Sequence, residues 1–305
     1  MDNELKRLHI NVFPGVQNLP NFAGEANGFF EKRGLVIETT FTKSSQQQRD
    51  GLASGEYDIA HSAVDNAVAM VDVAGEDAVI VVGLDHGFNK IIVRPGINSY
   101  DDLRGKTLGV DALDTAFALV IYEILKLKGI KQGEYKVQTI GATRFRLDAL
   151  KESKVDFAVL NLPYNLFAQH AGLAVLDDFT SVIGAYQSTG GFVKRAWAAQ
   201  NRAALVQYVT AYIEGLRWSM APANRSAVIK LLMQRIDIDR DIAEQCYKQI
   251  SNSKNGFAKD AKIDLAGMRK VLTLRADFSG ISSAASLSPD RYVDESFYRE
   301  ALAAL

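Results

Sequence analysis

Strand-like and helix-like segments alternate through the first 85 residues, and the same alternation starts again beyond residue 86 and ends near residue 186. About a hundred residues thus read as a second α/β unit set between two parts of the first. A chain built this way must cross between its units twice, near residues 86 and 186. Two lobes joined by two strands enclose a cleft that can open and close on a small molecule. The pattern points to binding without naming the ligand.

The segments are individually readable. Leu8-His-Ile-Asn-Val-Phe13 alternates as a strand stopped by Pro14-Gly15, and a helix follows from Asn18 with Pro20 tolerated in its first turn. Val36–Phe41 is the next strand. Ser45 with Gln48 three residues on forms a capping-box pattern opening a helix to Ala53, and Ser62 with Asp65 repeats it before Ala67–Val73. Tyr57–His61 and Ala78–Leu84 complete a β-α-β-α-β order, which predicts a parallel sheet with helices on its faces. In the second unit Lys90–Val93, Thr107–Val110, Lys136–Ile140 and Asp156–Leu160 read as strands. Between them, Thr115–Lys128 carries Phe117, Val120, Ile121, Ile124 and Leu125 on one helical face and stops at Gly129. Shorter helices fall near Arg144–Lys151 and Pro163–Ala171. After Gly184 the chain is extended and Gly-rich through Tyr186–Val193, then amphipathic over Asn201–Met220, Ala223–Ile236, Asp239–Ile250 and Asp264–Ala276. Strands first and helices later predict a tail packed back on the first unit.

Composition narrows the function classes. With 305 residues, 48% of them hydrophobic, the chain can bury one large core or two ordinary ones. A net charge of -1 and the lack of a basic run argue against a nucleic-acid partner. No apolar stretch reaches the roughly 18 residues needed to span a bilayer, so no membrane insertion is expected. The single cysteine, Cys246, leaves the redox compartment open and reads as a small core residue. The opening residues, Met1 to Arg7, carry no apolar leader core. Either a signal was removed or the protein is cytosolic.

Phe29-Phe-Glu-Lys-Arg-Gly-Leu-Val-Ile-Glu38 and Gly51-Leu-Ala-Ser-Gly-Glu-Tyr-Asp-Ile-Ala60 resemble the first lobe of the NMT1/THI5-like (SsuA/TauA-like) solute-binding proteins of ABC transporters. Ser99-Tyr-Asp-Asp-Leu-Arg-Gly-Lys-Thr-Leu-Gly-Val110 is similar to their second-lobe entry, and Asn161-Leu-Pro-Tyr164 and Gly190-Gly-Phe-Val193 extend the likeness over nearly the whole chain. The resemblance implies an α/β, periplasmic-binding-protein type II fold: two α/β lobes joined by a two-strand hinge, with the helical C-terminal segment packed on lobe 1. Residues 1–86 and 187–305 would form lobe 1 and 87–186 lobe 2. It implies a periplasmic protein delivering a small solute to an ABC permease and ATPase, with no cofactor and no metal. Pyrimidine-synthesising relatives carry a Cys-rich motif and desulfinase relatives a first-lobe cysteine; this chain has neither, which favours binding over catalysis.

In open parallel sheets ligands sit beyond the carboxyl ends of strands, where helix N-termini present unpaired N–H groups. Those ends offer Phe13, Asn18 and Leu19; Ser44, Ser45 and Gln46; His61, Ser62, Asp65 and Asn66; and in lobe 2 Asp111, Asp114 and Thr115, then Arg144, Asn161 and Tyr164, with Tyr186 and Gln187 at the second crossing. Plainer roles stay open: Ser45, Ser62, Asp114 and Thr115 suit helix caps, His61 a satisfied structural histidine, Arg144 a surface ion pair, and Phe13 and Tyr164 lobe packing. Three aspartates (65, 111 and 114) would repel nitrate or a sulfonate, while Phe13, Tyr164 and Tyr186 add flat faces. The expected ligand is therefore a small planar, aromatic or heterocyclic molecule bearing hydrogen-bond donors. The rival is a cytosolic enzyme of lyase or hydrolase type on the same scaffold, with His61 as general base beside Asp65 or Asp114. No nucleophile–base pair, metal-ligand cluster or phosphate loop supports it.

Overall fold

The computed structural model describes residues 5–279 and 288–305. Residues 1–4, at the start of the segment read above for a leader, lie outside them. The first stretch runs β1 (Lys6–Val12), α1 (Leu19–Ala26), β2 (Leu35–Phe41), α2 (Ser45–Ser54), β3 (Ile59–Ala63), α3 (Asp65–Asp72) and β4 (Ala78–Asp85). The second runs β5 (Lys90–Val93), β6 (Thr107–Val110), α4 (Ala116–Leu127), β7 (Lys136–Thr139), α5 (Thr143–Lys151), β8 (Phe157–Leu160), α6 (Tyr164–His170), β9 (Ala174–Asp178) and α7 (Phe179–Ile183). The chain then returns through β10 (Thr189–Lys194) to α8 (Arg195–Gln200), α9 (Arg202–Met220), α10 (Arg225–Ile236), α11 (Arg240–Ile250), α12 (Leu265–Ser279) and α13 (Ser296–Ala303).

Two five-stranded sheets result, in the orders β2-β1-β3-β10-β4 and β7-β6-β8-β5-β9. β1 is parallel to β2 and β3, and β6 to β7 and β8, whereas β10 and β5 each run antiparallel to both neighbours. The two lobes thus share one plan: a parallel three-strand half, an antiparallel strand, and an outer strand. β4 is buried along its whole length although it is outermost in its sheet. The C-terminal segment covers its edge, with the Ile80 amide donating to Tyr292 O at 2.8 Å and the Asp294 amide to Ile80 O at 3.0 Å. An edge covered in this way cannot template pairing with another chain.

β10 is squeezed between β3 and β4, and only glycine fits there. A Cβ on Gly191 would lie 2.7 Å from the His61 ring, and one on Gly190 would lie 2.4 Å from Val82 O. The tail helices pack on the first lobe through the same device. α9 crosses α1 where Gly215 faces Pro20, leaving 2.1 Å between a built Cβ and the Pro20 carbonyl oxygen. α13 lies on α9, and α10 on α1 and α11. α12 goes further, touching α3 of lobe 1 and α4 of lobe 2. Cys246 is buried on α11.

Two capping assignments differ from expectation. Ser44, not Ser45, caps α2, its Oγ accepting from the Gln47 amide at 3.2 Å. Ser62 lies within β3, and α3 begins at Asp65 with no side-chain cap. β9 escaped the sequence reading because it is an outer strand with an exposed or half-exposed side chain at every position, so no alternation marks it. Two segments, residues 86–89 and 184–188, cross between the sheets and are tied together. Asp85 O accepts from the Ser188 amide at 2.9 Å, Asp85 Oδ1 from the Gly87 amide at 2.8 Å, and the Asp85 carboxylate from the Thr189 hydroxyl.

Candidate ligand-binding cleft

The strand ends of the two lobes face one another across a cavity of about 510 Å³, mouth included. Lobe 1 contributes Phe13 and Gln17 after β1, Ser45 at the start of α2, Ser62, Ala63 and Asn66 at the β3–α3 junction, and Thr189 at the start of β10. Lobe 2 contributes Asp111, Thr115, Ala116 and Phe117 after β6, Ala142, Thr143 and Arg146 after β7, and Asn161 after β8. A smaller adjoining pocket of about 260 Å³ shares Gln17, Phe117, Asn161 and Thr189 and reaches the crossings through Asp85, Phe88 and Ser188.

The lobes touch at two backbone points beside this cavity. The Ser45 amide donates to Asp111 Oδ2 at 3.1 Å, and the Ala142 amide to Lys43 O at 3.2 Å. Arg146 is buried, and its guanidinium is spent on the protein: Nε donates to Val159 O at 3.3 Å, and the two terminal nitrogens to Gly141 O at 2.7 Å and Thr143 Oγ1 at 2.9 Å. Burial brings its pKa down to about 10, with the Asp111 charge acting the other way. Asp111 and Arg146 are the only charged side chains in the lining among the described residues, and their formal charges cancel.

Three side-chain oxygens of the lining are left over. Asn66 Oδ1, Asp111 Oδ1 and Asn161 Oδ1 are buried without a hydrogen-bond partner among the described residues. Asn66 Nδ2 is already donated to Ser62 Oγ at 3.0 Å. Buried polar groups are normally paired, and each exception calls for an explanation. Phe13 and Phe117, both half-buried, supply apolar faces. A larger open groove of about 1220 Å³ runs past His86, Lys254, Lys259 and Lys262, and none of its lining residues carries such an unpartnered buried atom.

Of the residues singled out from sequence, Phe13, Ser45, Ser62, Asn66, Asp111, Thr115 and Asn161 line the cavity. The others sit elsewhere. Asn18 is buried and holds the β1–α1 turn, its Nδ2 donating to Phe13 O at 2.7 Å, and Leu19 is core. Ser44 is the α2 cap, and Gln46 points outward to Asp50. His61 is buried against the tail, with Nε2 2.8 Å from the Tyr208 hydroxyl and its ring stacked on Tyr212 at 4.9 Å. Burial lowers its pKa to about 3. Asp65 forms a buried bidentate pair with Arg275 of α12, Oδ1 accepting from Nε at 2.9 Å. Asp114 lines a separate pocket with Gln46 and Arg49. Arg144 is exposed, and Tyr164 packs edge-on to Phe167 with its hydroxyl pKa raised by burial. Tyr186 is buried at the second crossing against Phe179, and Gln187 spans Thr189 O and the Asp264 amide, each at 2.7 Å. Of the three aspartates expected to repel an anion, Asp111 alone faces the cavity.

Gln17, Ala63, Ala116, Phe117, Ala142, Thr143, Arg146 and Thr189 were not anticipated in the lining. A signal for Arg146 was present: Thr143, Arg146, Leu147 and Leu150 are the buried stripe of α5 at i, i+3, i+4 and i+7, and Arg144 falls off it. Among the described residues there is no cluster of His, Cys, Asp or Glu able to hold a metal ion, and no helix long and apolar enough to cross a membrane.

Comparison with known proteins agrees with this architecture. The ligand-binding component of an ABC-type import system from Staphylococcus aureus superposes with a TM-score of 0.80 at 16% identity, covering 97% of this chain and 99% of that one. The periplasmic nitrate-binding protein NrtA from Synechocystis PCC 6803 superposes with a TM-score of 0.83 at 15% identity, covering 99% and 89%. At such identities the likeness establishes the shared fold, that of the periplasmic binding proteins. A protein of Brachyspira hyodysenteriae named as an ABC transporter periplasmic binding protein is 22% identical over 97% of this chain and 88% of its own length. The NMT1-like family profile matches residues 1–233, and the chain belongs to that family.

Proposed function

We propose that this protein is the solute-binding component of an ABC import system, capturing a small, planar, donor-bearing organic solute and presenting it to a permease and its ATPase from the periplasmic side. Residues 1–86 with 187–305 would move against 87–186 about the two crossings, a division that sheet membership supports. One observation carries the ligand class: Asp111 Oδ1, a carboxylate acceptor, and one amide atom each of Asn66 and Asn161 are unpartnered in a lining that also holds Phe13 and Phe117. The carboxylate oxygen calls for an N–H or O–H donor on the ligand, and phenylalanines in the lining suit a flat ring. The catalytic rival has less support, since His61 is hydrogen-bonded to Tyr208 and Asp65 to Arg275, and none of His61, Asp65 and Asp114 lines the cavity.

A thermal-shift and calorimetric screen of aromatic acids, aminopyrimidines, sulfonates and amines tests the reading. A ligand at 100 times its Kd adds about 2.7 kcal/mol of stability. Phe117→Ala and Asn161→Ala are each expected to weaken its binding by about 10-fold or more. Tight binding of taurine or nitrate, with no heterocycle bound, overturns the ligand class.

A further inference from the structure

Within this receptor reading, on which the inference rests, one side chain sets the charge of the solute the cleft admits. α2 is a ten-residue helix whose first residue, Ser45, lines the cavity. The amides of a helix's first turn carry partial positive charge and suit an anion. Here the protein supplies the anion itself, because the Ser45 amide donates to Asp111 of the opposite lobe at 3.1 Å.

Two further features of the lining would otherwise serve an anion. Arg146, 4% exposed, has its hydrogen bonds on two carbonyls and a hydroxyl and none on a carboxylate, so its charge is answered in the lining by Asp111 alone. Asn66, 1% exposed, sits between the Ser62 and Ser45 hydroxyls with one amide atom unpartnered. Because hydroxyls both donate and accept, that amide can turn either its oxygen or its nitrogen to a ligand.

We propose that Asp111 is the specificity-determining residue of the cleft: its carboxylate, carried on one lobe, fills the anion seat at the α2 N-terminus of the other and so excludes anionic solutes while latching the lobes. Without it the α2 amide, the Arg146 charge and the Asn66 amide form a seat for a small oxyanion.

The test is calorimetric titration with methanesulfonate at low salt of wild type, Asp111→Ser and Asp111→Asn, each checked for folding by circular dichroism. Asp111→Asn keeps the volume and removes the charge, so it decides the matter should the serine variant fail to fold. Both variants are expected to bind methanesulfonate at least about 10-fold tighter than wild type, the scale of one charge-assisted hydrogen bond. Equal affinity in wild type and variants overturns the proposal, as does the lack of any gain in a folded variant. If the variants gain the sulfonate while wild type binds no heterocycle, the role of Asp111 stands and the ligand class falls. If wild type binds a heterocycle and no variant gains the anion, the reverse holds.

Discussion

His61 shows how a polar residue at a strand end becomes part of the frame. Its ring fills the space that Gly191 leaves open, stacks on Tyr212 and meets the Tyr208 hydroxyl. Burial holds its pKa near 3, well below the ordinary 6.5. A histidine with a depressed folded pKa contributes stability above its unfolded pKa, and that contribution is lost as pH falls toward the folded value. Between pH 7 and pH 5 this one group should cost the wild type about 2 kcal/mol relative to a His61→Gln variant, which has no proton to take up. Urea unfolding of both proteins at the two pH values measures the difference directly, because the carboxylates common to both cancel. Parallel losses in the two proteins would show that the ring titrates normally. The same scale marks a limit of sequence reading. His61, Asp65 and Gln187 are polar residues at strand ends or crossings, where ligand contact is a fair expectation. Their partners Tyr208, Arg275 and Asp264 come from beyond residue 200, and no local pattern announces such pairings.

At the scale of elements, the α/β alternation was legible because periodicity and turn residues are local. α2, α4 and the tail helices α9 to α12 fall within a residue or two of their expected starts. The outer strand β9 was not legible, since a sequence marks a strand by the face it buries and this one buries no residue fully. Of two nearby arginines, the one on the buried stripe of α5 reaches the cavity, so helical phase would have been the better guide than proximity to the strand end. The α1–α9 contact depends on a single position. With a built Cβ at Gly215 only 2.1 Å from Pro20 O and 3.0 Å from the Gly24 amide nitrogen, both neighbours are backbone and cannot swing aside. Alanine ordinarily favours a helix interior over glycine by about 1 kcal/mol. Here overpacking should prevail, and Gly215→Ala is expected to destabilise the protein by about 1–3 kcal/mol. A shift of the urea midpoint to lower concentration at unchanged slope checks this; a stabilised variant would show that the helices separate freely.

At the scale of the whole molecule, the lobes are joined in several places, among them an apolar cluster of Val16, Leu19 and Phe22 with Leu162 and Leu166. The crossings at residues 86–89 and 184–188 and the helix α12, which spans α3 and α4, hold the molecule together behind the cleft. Across the cleft beside the cavity, the backbone contacts are the Ser45 amide on Asp111 and the Ala142 amide on Lys43 O. These two bonds require the lobes to be close, so they are reporters of closure. A ligand that touches both lobes favours the closed population by its differential affinity alone. Hydrogen exchange at Ser45 and Ala142 should therefore slow when a ligand is added. Amides inside one lobe, such as Thr42 donating to Val12 O at 2.9 Å, should barely change by comparison. Small-angle scattering should contract in step with that protection. A bound ligand that leaves both amides exchanging at their free rates would mean that the cleft does not close around its guest, and the receptor mechanism would fail with it.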